Sequence, residues 1–85
     1  MTVYAEISLY PLKTTDITQH IVSFLQYIAS QNLHVEYGRL SSIVSGECSD
    51  VFSALNAAFE RCCDQTAVAM CLKITNIAPP ALSKE

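Results

Sequence analysis

Apolar residues recur at helical spacing twice in this chain, at Ile17, Ile21, Phe24, Leu25 and Ile28, and again at Val51, Leu55, Ala58, Phe59 and Cys62. Each stripe covers one side of a helix and must be buried against another element. Each also stands between stretches of strand-like alternation. Before the first stripe, Val3, Ala5, Ile7 and Leu9 alternate with Tyr4, Glu6, Ser8 and Tyr10, the period-two pattern of a strand with two unlike faces. Pro11 is expected to end that strand, since proline cannot donate to a ladder. After the second stripe, Val68, Met70, Leu72 and Ile74 alternate with Ala69, Cys71, Lys73 and Thr75.

Between the stripes lie two short extended runs. Leu33, Val35 and Tyr37 form the first, Gly38-Arg39 a tight connection, and Leu40 to Ser45 the second, which together read as a hairpin closed off by Gly46. Thr15 or Asp16 is expected to cap the first helix, with Gln19 completing a capping box, and Asn32 to close it. Ser49 or Asp50 is expected to cap the second. The order β-α-β-β-α-β is the split β-α-β arrangement. It predicts an α+β, ferredoxin-like domain: a four-stranded antiparallel sheet with both helices on one face. The chain's 85 residues leave room for one such domain, over residues 1–78, with a polar tail over 79–85.

Composition removes several function classes. Hydrophobic residues make up 51% and charged residues 15%, too apolar for a disordered chain, and the net charge is −3. The five cations are scattered, so no basic stripe follows a phosphate backbone and no nucleic-acid partner is expected. No apolar run is long enough for membrane insertion, and the N-terminus lacks the basic region of a signal peptide. A cytoplasmic location is expected, with Cys48, Cys62, Cys63 and Cys71 as free thiols. They form no C-x-x-C, and His20 and His34 fall on different elements, so no metal site is expected. No nucleophile, base and orienting acid come together in the sequence, which argues against an enzyme and leaves no catalytic residue to name. Other users of this topology are also disfavoured. The third strand, Leu40 to Ser45, lacks the aromatic and basic motif of an RNA-binding module. The loop Leu12-Lys13-Thr14-Thr15 has neither the paired cysteines of a metal chaperone nor the arginine of an acylphosphatase.

Two amphipathic helices cover only one face of such a sheet. The other carries Tyr4, Glu6, Ser8, Tyr10, Ala69, Cys71, Lys73 and Thr75, and it either stands in water or meets a ligand or another subunit. The high apolar fraction of so short a chain favours self-association.

The segments Glu6-Ile7-Ser8-Leu9-Tyr10-Pro11-Leu12, Val35 to Gly46, Asp50 to Leu55 and Lys73-Ile74-Thr75-Asn76 together resemble the YkoF and related thiamin-binding family, here as a single-domain member. Their order and spacing carry the likeness from about Tyr4 to Asn76. Lys13 stands where relatives often place a glycine, and Arg39-Leu40 replaces a more usual proline-methionine pair. The resemblance implies a cytoplasmic, non-catalytic protein that binds thiamin or its hydroxymethylpyrimidine part, serves thiamin-precursor uptake or salvage, and pairs with copies of itself as a homodimer or homotetramer. It carries no further cofactor. An aminopyrimidine needs hydrogen-bonding partners and an aromatic or apolar slot. Ser8, Ser41, Ser42 and Asn76 are the candidates for the first; Tyr10, Tyr37 and Leu40 for the second. Glu6 or Glu36 suits a cationic thiazolium. The alternative is a structural or regulatory self-association domain with no small ligand.

Overall fold

The computed structural model describes residues 1–78; the expected tail over 79–85 lies outside the described residues. The elements run β1 (Thr2–Leu12), α1 (Ile17–Ala29), β2 (His34–Glu36), β3 (Ser42–Glu47), α2 (Cys48–Cys63) and β4 (Ala67–Thr75). They form one antiparallel sheet in the order β2-β3-β1-β4. This is the expected α+β, ferredoxin-like arrangement. The core is a single cluster in which Val3, Ala5, Ile7 and Leu9 of β1 and Val44 of β3 meet Phe24, Leu25 and Ile28 of α1 and Val51, Ala54, Leu55, Ala58 and Cys62 of α2. The alternation of β1 and both helical stripes therefore found their partners in each other. Ala54 belongs to the core more fully than Phe59, because the second stripe is rotated slightly from the expected one.

Several boundaries differ from expectation. Pro11 lies inside β1, buried and opposite Val68, and the strand continues to Leu12. The tight Gly38-Arg39 connection is instead a loop over residues 37–41, and the next strand starts at Ser42 rather than Leu40. Gly46 sits within β3 opposite Val3 rather than after the strand. The helix caps also move. Asp16 is the N-cap of α1 but makes no side-chain cap bond, and Glu47 rather than Ser49 or Asp50 is the N-cap of α2. Both helices are instead held by packing, which outweighs a cap worth ~1 kcal/mol. Leu72 points to the core side but stays 40% exposed, because β4 is an edge strand.

Among the described residues, two outside glycine adopt positive φ. Asn32 (φ 64°) follows α1 and fulfils its expected closing role, where its short polar side chain suits the left-handed region. Lys13 (φ 57°) occupies the turn after β1, in the left-handed region that glycine adopts most readily. The loop thus keeps the glycine-type conformation with a lysine in it. Lys13→Gly is expected to raise the unfolding free energy by up to about 1 kcal/mol, since relief of left-handed strain outweighs the extra unfolded-state entropy. Urea denaturation checks this, and a loss of stability instead would assign the Lys13 side chain a structural contact.

Candidate functional site

The register of the sheet decides which peptide groups are free. The Met1 carbonyl accepts a hydrogen bond from the Cys48 N–H at 2.9 Å, continuing the β1–β3 register in which Thr2 faces Glu47. Bonded and non-bonded pairs alternate along an antiparallel ladder. Val3–Gly46, Ala5–Val44 and Ile7–Ser42 are then bonded pairs, and odd-numbered residues of β1 aim their peptide groups toward β3. Pairing with β3 ends at Ile7–Ser42, whereas β1 runs on to Leu12. Leu9 and Pro11 therefore direct their backbone past the end of β3. This also explains the proline inside the strand: its nitrogen faces a side with no ladder, so no hydrogen bond is lost.

A cleft of about 80 Å³ opens at that free edge, between β1, α1 and the loop before β3. Ile7, Leu9, Ile21, Phe24 and Leu25 supply its apolar part; Ser8, Ser41, Ser42 and Arg39 supply its polar part. Gly38 shapes the loop: a Cβ there would lie 2.1 Å from the Ser41 carbonyl oxygen, so only glycine permits this close backbone approach. Ser41 is further tied down by donating its hydroxyl to Glu6 Oε2 at 3.0 Å. Glu6 also faces Lys73 across β1–β4, with Nζ 3.9 Å from Oε1. Both side chains are largely in water, where such a pair is worth ~0–1 kcal/mol.

The uncovered sheet face holds a second, shallower depression of about 410 Å³, lined by Tyr4, Glu6, Ile43, Lys73, Thr75, Ile77 and Ala78. Cross-strand neighbours place Glu36, Ile43, Glu6 and Lys73 in one row and His34, Ser45, Tyr4 and Thr75 in the next.

Of the residues singled out in the sequence, Ser8, Leu40, Ser41 and Ser42 come together at the cleft. Glu6 lies on the open face and is joined to the cleft through Ser41. Tyr10 stands exposed on the open face opposite Ala69, Tyr37 is exposed in the loop, and Asn76 is exposed just after β4; none of the three lines either cavity. Sequence reasoning did not single out the Leu9 backbone, because side-chain types say nothing of which peptide groups lack a ladder partner. Ile43 and Ile77 of the open face were missed as well; the parity that pairs Ile43 with Glu6 requires the β1–β3 register.

Burial pushes the Cys62 thiol up, with neighbouring Cys63 adding to the shift, so this thiol is held in its unreactive form. Among the described residues no three metal-ligating side chains cluster, and no helix is long and apolar enough to cross a membrane.

Comparison with solved structures finds the same fold repeatedly. A protein from Streptococcus pneumoniae superposes with a TM-score of 0.81 at 20% identity, over 98% of this chain and 92% of its own. A hypothetical protein from Methanocaldococcus jannascii gives 0.80 at 21% identity, over 94% and 84%. A Thermotoga maritima protein, assigned provisionally to thiamine biosynthesis or salvage, gives 0.77 at 18% identity, over 87% and 82%. At these identities the likeness establishes the fold alone. No curated protein matches the sequence. The family model of the YkoF-related family matches residues 2–81, nearly the whole chain, and the chain belongs to that family.

Proposed function

We propose that this chain is a cytoplasmic, non-catalytic binding protein for the hydroxymethylpyrimidine part of thiamin, serving precursor uptake or salvage as a homo-oligomer. The observation that carries this reading is the free edge of β1 at Leu9. One residue there offers an N–H donor and a C=O acceptor on the same side. A 4-aminopyrimidine presents the complement, a ring nitrogen that accepts beside an amino group that donates. The ligand thus takes the place of the strand residue that would have paired with Leu9, as an added strand does at a sheet edge. Phe24 and the aliphatic residues give the ring an apolar seat, and Ser42 stands at the polar side. The cleft is smaller than the roughly 300–1,000 Å³ of sites for larger ligands, so it suits a single ring, with the thiazolium of thiamin left outside.

Family membership and the Thermotoga neighbour's assignment support the ligand class. Self-association is supported by the open face, where Tyr4, Ile43 and Ile77 border one depression. Titration calorimetry with hydroxymethylpyrimidine and with thiamin is the test. Heat and thermal stabilisation with the pyrimidine are expected; no heat and no shift with either compound would remove the reading.

A further inference from the structure

The charge around the cleft has a sign. Among the residues that line it, Arg39 is the single charged one, and Ser42, on the helix side of the sheet, stands beside it. Its guanidinium joins neither of the ion pairs among the described residues, which are Met1–Glu47 and Glu6–Lys73. The acids nearest to it point elsewhere. Glu6 lies on the open face, bound by Ser41 and facing Lys73, and Glu36 shares that face through its pairing with Ile43. Ser42 also lines the cleft, and its hydroxyl makes no hydrogen bond to another described residue.

Resting on the ligand class proposed above, we infer that the cleft selects an aminopyrimidine carrying a phosphomonoester over its uncharged or cationic counterparts, with Arg39 as the group that reads the anion. Guanidinium matches phosphate oxygens in a bidentate fork, and charge-assisted bonds of this kind are about twice as strong as neutral ones. The Ser42 hydroxyl beside it donates to a remaining oxygen. A ring seated at Leu9 carries its hydroxymethyl substituent on the carbon next to the amino-bearing one, within the same small cleft that the Arg39 loop closes. A thiazolium in that position meets a like charge instead. The loop Gly38-Arg39-Leu40-Ser41 thus sets which form of the ligand is held.

Calorimetry on the intact protein with four probes decides this: hydroxymethylpyrimidine, its phosphate monoester, thiamin and inorganic phosphate, each against the wild type, Arg39→Gln and Arg39→Lys. The monoester is expected to bind the wild type roughly tenfold or more tighter than the parent pyrimidine. Arg39→Gln is expected to remove that preference, Arg39→Lys to restore part of it, and added salt to reduce it. Equal affinity of monoester and parent for the wild type, or a preference that persists in Arg39→Gln, overturns the inference while leaving pyrimidine binding intact. Binding of inorganic phosphate as tight as that of the monoester, with no heat from the parent, overturns the pyrimidine reading and with it the selection of a phosphomonoester.

Discussion

Gly38→Ala is expected to weaken binding of hydroxymethylpyrimidine by roughly tenfold or more while leaving the domain folded, because it displaces by about 1 Å a loop whose position sets the site. The reason is steric and local. The added Cβ would lie 2.1 Å from the Ser41 carbonyl oxygen, where contacts under 3.0 Å essentially never occur. The obstacle is backbone, so no side-chain rotation relieves it. The loop must open, and it carries Arg39, Leu40 and Ser41 with it. None of residues 37–41 except the half-buried Ser41 is shielded from solvent, and Leu40 is 94% exposed. Opening the loop therefore removes little core packing, and the stability loss is expected to stay within ~2 kcal/mol. Calorimetry reads the affinity and a thermal melt reads the fold. An unchanged affinity in a folded Gly38→Ala protein would show that the loop does not shape the binding site.

What sequence could and could not foresee follows from the kind of information each feature needs. Val3, Ala5, Ile7 and Leu9 announce the buried face of β1 because side chains alternate strictly, and burial of all four agrees with that. The helical stripes are legible for the same reason. Pro11 misled because a proline reads as a strand breaker until the register shows that its nitrogen faces no partner. The hairpin misled because Gly38 looks like a turn residue, whereas its use is to let Ser41 approach within a loop over 37–41. The site is legible in part. Ser8, Ser41 and Ser42 are recognisable as hydroxyls near one another in the strand order. The Leu9 peptide group and the Glu6–Ser41 hydrogen bond depend on pairing between residues far apart in sequence, and no local pattern encodes that.

Ile43→Glu is expected to convert the proposed homo-oligomer to monomer, weakening association by roughly 30-fold or more, as loss of a central apolar anchor does. Ile43 lies in the middle row of the uncovered sheet face, with Glu36 on one side and Glu6 on the other. A glutamate there sets three acids in a line against the single Lys73 of that row. The patch is also self-complementary. Glu6 and Lys73 stand side by side, so a two-fold axis through the face lets the acid of one copy meet the base of the other. Ile77, 73% exposed at the rim of the same depression, gains most by being covered. Ile43 points away from the helices and is absent from the core, so the substitution should leave folding intact, which far-UV circular dichroism checks. Sedimentation velocity over a concentration series reads the assembly state. If Ile43→Glu and Ile77→Glu both keep the wild-type assembly, the open face is not the interface.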